Sequence, residues 1–302
     1  MQEIRVGVDL GGTKIEVAAL DPAGVIRLRR RVATPQGDYE GTVRAIVGLV
    51  LSLDRDLGLA GSVGIGIPGT ISPATGLIKN ANSVCLIGKA FDRDLAKALG
   101  RQVRLANDAD CFALSEATDG AGAGFRTVFG TILGTGVGGG IVIAGDLVRG
   151  ANAIAGEWGH NPLPWPADDE RPGSLCYCGR RGCIETFLSG PGLVADYARS
   201  AGNTRSAEDI AAQAESGEAA AAAALLRYED RLARAFATII NVLDPNVIVL
   251  GGGLSNIKRL YRNVPARWSA YVFSDTVVTR LVPPRHGDAS GVRGAAWLWN
   301  RP

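Results

Sequence analysis

Cys176, Cys178 and Cys183 place three thiols within eight residues of a chain that has only five cysteines, and His160 stands upstream in GEWGH. Three thiolates and an imidazole make a complete tetrahedral set for Zn²⁺. Gly179 and Gly182 let the intervening loop curl, and Arg180 and Arg181 offset the charge of a three-thiolate site. A redox-active dithiol or unrelated buried cysteines are the alternatives, although a C-x-C bridge fits disulfide geometry poorly. Four protein ligands would leave no open position, which makes such a zinc structural. It would hold Glu157, three residues before His160, and Glu185, two residues after Cys183, as paired acceptors suited to sugar hydroxyls. Solvent exposure is the alternative for both. Cys85 and Cys111 read as small core or pocket-lining residues.

A second chemistry-bearing stretch is LANDAD, where Asp108 follows Asn107 at a strand-to-helix junction. A carboxylate at the carboxyl end of a strand can orient an attacking hydroxyl and accept its proton in phosphoryl transfer. Asn107 would add a hydrogen bond to a neighbouring hydroxyl. An Asx residue there can equally be a helix cap. Asp9 ends the first strand before Gly11, Gly12 and Thr13, where a carboxylate can hold Mg²⁺ through water, or simply cap the turn.

The elements that would position these groups are short aliphatic runs, each delivering a glycine cluster: DLGGTK, GIGIPG, GTGVGGG and LGGG. Strands are expected over 4–10, 15–20, 25–32, 63–67, 103–105, 127–133, 141–144 and 247–250. Helices are expected over 42–57, from 108 to 117, over 218–243 and from 290 to 299. The third of these has Leu225, Leu232, Phe236, Ile239 and Leu243 on one face. A strand–Gly/Thr turn–strand unit therefore opens each half of the chain. Gly134-Thr135-Gly136-Val-Gly138 is no dinucleotide fingerprint, because a strand rather than a helix follows it. Paired hairpins whose amides and Thr13 or Thr135 hydroxyls clasp phosphates suit a nucleotide held in a cleft between two similar domains. The hinge falls in 119–125, giving an N-terminal domain of 1–118 plus 289–302 and a larger one of 119–288 that contains the zinc loop, 160–183.

Composition narrows the function classes. The 302 residues suffice for two modest domains, and 46% hydrophobic with 21% charged residues is ordinary for a soluble chain. A formal charge of +2 provides no basic field for nucleic acid. No run of eighteen apolar residues offers a membrane span, and MQEIRVGVDLGG lacks the layout of a signal peptide. Clustered, odd-numbered cysteines point to a reducing cytoplasm.

Together VGVDLGGTK, GIGIPG, LANDAD, GTGVGGG, AGEWGHNPLPW and CYCGRRGCIETF resemble the ROK family (repressor, open reading frame, kinase) of sugar kinases, and IVLGGGLSN and HGDASGVRGAAWLW extend the resemblance over essentially the whole chain. KNANS, GHNPLPW and the C-terminal segment are most similar to the bacterial fructokinases. The resemblance implies an actin-like ATPase fold of the ribonuclease H-like kind: two α/β domains around a cleft for ATP·Mg²⁺ and a hexose. It makes Asp108 the general base and assigns sugar contacts to Gly69, Asn107, Glu157, His160 and Glu185. His160 would serve twice, with one ring nitrogen on zinc and the other toward the sugar. Phosphates would meet Gly11, Gly12, Thr13, Lys14, Gly134, Thr135 and Gly136 beside Asp9, with Gly252 and Gly253 near the adenosine. The expected reaction is phosphorylation of fructose at the 6-hydroxyl, and the alternative is the same chemistry on glucose, mannose or an N-acetylhexosamine. A sugar-responsive repressor is disfavoured, since family regulators carry a DNA-binding domain before the DLGGT strand and only three residues precede Ile4. A homodimer is the family expectation. The loop 161–175, NPLPWPADDERPGSL, is longer than in many glucokinases of the family, which bears on sugar identity.

Overall fold

The computed structural model describes residues 4–299. In chain order its elements are β1 (Arg5–Leu10), β2 (Lys14–Leu20), β3 (Ile26–Ala33), α1 (Tyr39–Leu57), β4 (Ser62–Ile67), β5 (Thr70–Ile71), β6 (Ile78–Lys79), α2 (Phe91–Leu99), β7 (Val103–Asn107) and α3 (Asp108–Thr118). There follow β8 (Thr127–Leu133), β9 (Val137–Ile143), β10 (Asp146–Leu147), α4 (Ile184–Leu188), α5 (Gly190–Ala201), α6 (Ala207–Glu215) and α7 (Ala219–Leu243). The chain ends with β11 (Val247–Gly251), α8 (Leu260–Asn263), α9 (Pro265–Trp268), β12 (Arg280–Val282) and α10 (Ser290–Trp297).

Both five-stranded sheets have the same plan. In one the order is β3-β2-β1-β4-β7 and in the other β10-β9-β8-β11-β12, so each reads third, second, first, fourth and fifth of its own strands. In the first, β1 is antiparallel to β2 and parallel to β4, and β4 is parallel to β7. The register sets Asp9 opposite Gly66, and Ile67 opposite Asn107. Both acids of interest therefore sit toward the carboxyl ends of parallel strands, where open α/β sheets bind ligands.

Helix α1 buries Val43, Ile46, Leu49, Val50 and Leu53 on one stripe, and Asp38 caps it by accepting from the Gly41 N–H at 2.8 Å. Gly58, at φ 68°, ends it. Helix α10 packs closer still, main chain against main chain. A Cβ on Gly7 or Gly64 would lie 1.9 or 1.8 Å from the Val292 or Ala295 carbonyl oxygen. Gly294 faces the Cys111 carbonyl of α3 just as closely. The C-terminal helix thus packs on the first unit, as its sequence predicts, although it ends at Trp297 rather than Trp299.

The chain divides into two compact α/β units. The first takes the chain up to Gly124, Gly140–Ala155 and the chain from Arg285 on; the second takes Phe125–Gly139 and Gly156–Pro284. Two differences from the expected boundaries have physical causes. The return to the first unit begins at Arg285, before 289, because Glu116 accepts hydrogen bonds from the backbone N–H groups of Arg285 at 3.0 Å and His286 at 3.3 Å. Residues 140–155, expected in the larger domain, count with the first because Gly140 abuts the Ala109 carbonyl and Arg149 donates to the Leu105 carbonyl at 3.3 Å. The glycine run 138–140 is strand rather than turn, and Gly139 lies against Phe129 and Trp158 where a side chain would clash.

Candidate active site

In the first unit Asn107 and Asp108 stand at the α3 N-terminus. Asn107 is the cap, its Oδ1 accepting from the Ala109 N–H at 2.9 Å, and its Nδ2 donates to the Gly69 carbonyl at 3.4 Å. Asp108 is the first helical residue and is exposed; its Oδ1 accepts from the same Ala109 N–H at 2.8 Å. Gly69 has φ 120°, and a Cβ there would come within 2.9 Å of Ala81, so only glycine lets this turn press on the KNANS segment.

Asp9 lies within electrostatic reach of Asp108. Burial, then the negative charges of Asp108 and Glu16, push its carboxyl up to about 6, against the pull of Lys14. In the adjoining turn the Gly11 N–H donates to the Lys14 carbonyl at 3.0 Å, and Thr34 Oγ1 donates to the Gly11 carbonyl at 2.8 Å. Gly12, Thr13 and Lys14 are exposed, and nothing stands within 4 Å of where a Gly12 side chain would be.

In the second unit the turn Gly134–Gly136 is closed by the Gly134 N–H donating to the Gly136 carbonyl at 3.0 Å, with Thr135 exposed at its tip. Gly252, at φ 80°, lies directly on the Leu133 main chain, which brings the Gly252-Gly253 turn beside it. A contact not evident from sequence ties the first of these turns to α5: the N–H of Gly190, in the first turn of α5, donates to the Gly134 carbonyl at 2.7 Å.

His160, Cys176, Cys178 and Cys183 come together with their ligand atoms all within 4.8 Å of one another. Cys176 Sγ lies 3.6 Å from His160 Nδ1, and Cys178 Sγ lies 3.6 Å from Cys183 Sγ. A tetrahedral site with bonds of about 2.0–2.3 Å separates its ligand atoms by about 3.3–3.8 Å, so this donor set fits zinc. Burial and the neighbouring thiols push Cys183 up to about 12, a cost that a divalent cation reverses. The three cysteines are free of disulfides.

The second ring nitrogen of His160, Nε2, pairs with the Tyr177 hydroxyl at 2.9 Å. Tyr177, between two ligand cysteines, is the site residue that sequence reasoning missed; an aromatic set inside C-x-C is the clue. Its residue is 74% exposed. Desolvation, then the charges of Glu185, Cys176 and Glu157, push it up to about 12, so both glutamates reach this hydroxyl electrostatically. Glu185 is also tied to the glycine turn, its Oε2 accepting from the Val137 N–H at 2.9 Å. Glu157 immediately precedes the turn Trp158–His160, whose Trp158 is stacked on Phe236 of α7 at 5.3 Å between ring centroids.

The first unit thus gathers Asn107, bonded to Gly69, and two carboxylates, Asp9 and Asp108, within electrostatic reach of each other. The second gathers Glu157, His160 and Glu185 at the thiol cluster, with its glycine turns adjoining. The ROK family profile matches residues 5–302. An N-acetyl-D-glucosamine kinase of Photobacterium profundum is 43% identical over 296 residues, covering 97% of this chain and 98% of that protein. The crystal structure of a ROK hexokinase from Thermus thermophilus superposes with a TM-score of 0.86 at 29% identity, covering 97% of this chain and 96% of that one. A ROK family glucokinase from Streptomyces griseus, solved in complex with glucose and AMPPNP, gives 0.79 at 27% identity, with 98% of each chain covered.

Proposed function

The chain belongs to the ROK family, and from that premise we propose that it is an ATP-dependent sugar kinase that phosphorylates N-acetyl-D-glucosamine or a related hexose at the 6-hydroxyl. The observation that carries the chemistry is Asp108 at the α3 N-terminus with Asn107 as the cap, within electrostatic reach of Asp9. Asp108 accepts the proton of the attacking hydroxyl, and Asp9 holds Mg²⁺ through water. The glycine turns at 11–13 and 134–136, with Lys14, bind phosphates, and Gly252-Gly253 adjoins the adenosine. Asn107, Gly69, Glu157 and Glu185 bind the sugar, and His160 reaches it through Tyr177. Zn²⁺ on His160, Cys176, Cys178 and Cys183 ties these second-unit groups together and stays structural.

N-acetyl-D-glucosamine stands first because relatives at 41–43% identity over nearly the whole chain bear that substrate in their names. This reverses the order expected from sequence motifs, where KNANS and GHNPLPW favour fructose. Fructose is the second reading on the strength of those motifs. The family expectation of a cytoplasmic homodimer completes the proposal, and no helix among the described residues is long and apolar enough to cross a membrane.

The test is ADP release with Mg·ATP across a panel of hexoses and N-acetylhexosamines. N-acetyl-D-glucosamine should give the highest kcat/KM. A tenfold preference for fructose, about 1.4 kcal/mol in the transition state, would restore the sequence-based order. No sugar-dependent ADP release at all would defeat the kinase reading.

A further inference from the structure

The loop 161–175 runs from one ligand of the thiol cluster to another, and its interior is anchored far more firmly than a polar surface loop requires. Glu170 is the anchor. Its Oε1 accepts from Arg231 Nε at 2.7 Å and from Arg234 Nη2 at 2.9 Å. Its Oε2 accepts from Arg234 Nη1 at 2.9 Å and from the Ala167 N–H at 2.8 Å. Arg234 Nη1 also donates to the main-chain carbonyls of Trp165 at 2.8 Å and Pro164 at 3.1 Å. The side chains of Glu170, Arg231 and Arg234 are only 6%, 3% and 5% exposed. Charges this deeply buried are tolerated when geometry and remaining hydrogen bonds are complete, as they are for this carboxylate.

Both arginines lie on α7, which also carries Phe236 under Trp158, two residues before His160. One helix therefore grips the middle of the loop and the turn that bears its first ligand. The loop ends are fixed by main-chain pairing to the cysteine hairpin. Leu163 N–H donates to the Gly182 carbonyl at 2.9 Å, and Gly182 N–H to the Ser174 carbonyl at 3.0 Å.

We propose that Glu170 is a positioning residue for the metal centre: clamped by Arg231 and Arg234, it holds the loop 161–175 so that His160 and Cys176 stay at ligand separation. The inference rests on the metal reading above and extends it to residues that touch neither the donor set nor substrate. It also assigns a role to a loop whose polar sequence, ADDERP, reads as solvated surface. Outer partners that orient ligands commonly contribute 10- to 100-fold to metal affinity.

The experiment uses the full chain loaded with Co²⁺ in place of zinc, whose thiolate charge-transfer bands report coordination. Glu170→Gln keeps the shape but removes the carboxylate that the two arginines share, leaving Arg231 with Asp196 and Arg234 with Asp230. It should release cobalt to a chelator about 10- to 100-fold faster and raise KM for the accepted sugar by a similar factor, with KM for ATP changed less than about twofold. The control is Asp196→Asn, which removes the other carboxylate of Arg231 (2.8 Å) from α5, where its remaining partners are Arg199 and Arg227. It should lower the melting temperature yet release cobalt at the wild-type rate. Equal release rates in the two variants, or a wild-type rate for Glu170→Gln, would overturn the positioning role. Wild-type protein that takes up no cobalt would overturn the metal reading, and this inference with it. If circular dichroism shows Glu170→Gln unfolded, Arg234→Lys takes its place under the same outcomes, because lysine cannot bridge Glu170 and both loop carbonyls.

Discussion

In the proposed reading Asn107 caps α3 and Asp108 takes the proton, and substitutions should separate the two roles cleanly. Asp108→Asn keeps the shape and most hydrogen bonding but cannot take a proton. Its kcat should fall by roughly 10²- to 10⁴-fold, the usual worth of a positioned general base. Sugar and ATP affinity measured by calorimetry should change far less, since binding rests on other groups. Near wild-type turnover would remove Asp108 from the reaction. Asn107→Ala, by contrast, takes away the cap of α3 and should lower stability by about 1 kcal/mol in urea denaturation. The pair NDAD reveals from sequence that an acid stands at a helix start. Which of the two caps is set by backbone geometry, with Asn107 extended at ψ 153°, and that is not written in the residue types.

Among the elements, α10 and the cysteine hairpin carry the sharpest expectations. Gly294 sits where any side chain meets the Cys111 carbonyl, at a contact between two helices that neither can widen without leaving the sheet. Gly294→Ala should therefore cost at least the roughly 1–3 kcal/mol of ordinary overpacking, read as a lowered melting temperature. In the second unit, Cys178→Ser removes one of four ligands. Elemental analysis should find about one zinc per chain in the parent and markedly less in the variant, with a matching loss of thermal stability. Active parent protein free of metal would end the zinc reading. The hairpins and their glycine turns are legible because aliphatic runs broken by Gly-Gly leave few other conformations. Residues 138–140 are misread as turn, since their purpose is close approach to Trp158 and α3, which only the folded neighbours reveal. For α7 the apolar spacing correctly marks Leu225, Leu232 and Phe236 as buried, while Ile239 and Leu243 are half-buried. The same spacing gives no hint that Arg231 and Arg234 are buried too, because their partner Glu170 is more than sixty residues away.

At the scale of the whole molecule, the buried ion network makes stability depend on acid. Burial alone would raise the Glu170 carboxyl, but hydrogen bonds from Arg234 and Arg231 overcome it and hold the group at about 2, below its ordinary 4.5. Asp196 is lowered as well, by Arg227 and Arg231 against the effect of burial. A carboxylate depressed in the folded state contributes stability above its unfolded value and loses it as the pH falls toward the folded one. The share of the melting temperature that Glu170 and Asp196 supply should thus hold above pH 4.5 and decline progressively below it. Glu170→Gln should begin lower and decline less steeply, and parallel profiles would remove Glu170 from the acid response. The two-unit plan itself is legible from the repeated strand–turn–strand motif. The transfer of 140–155 to the first unit is not, because it depends on main-chain contacts at Gly140 and Arg149.

The packing of α10 against Gly7 and Gly64 also sets an order of events during synthesis. As the chain leaves the ribosome, β1, β4 and β7 emerge early, yet the surface that α10 covers has no partner until residues 290–297 follow. The sequence of the second unit is by then almost entirely translated. A released chain truncated before residue 290 should leave the strands under α10 open to protease while the second unit, which ends at Pro284, is already resistant.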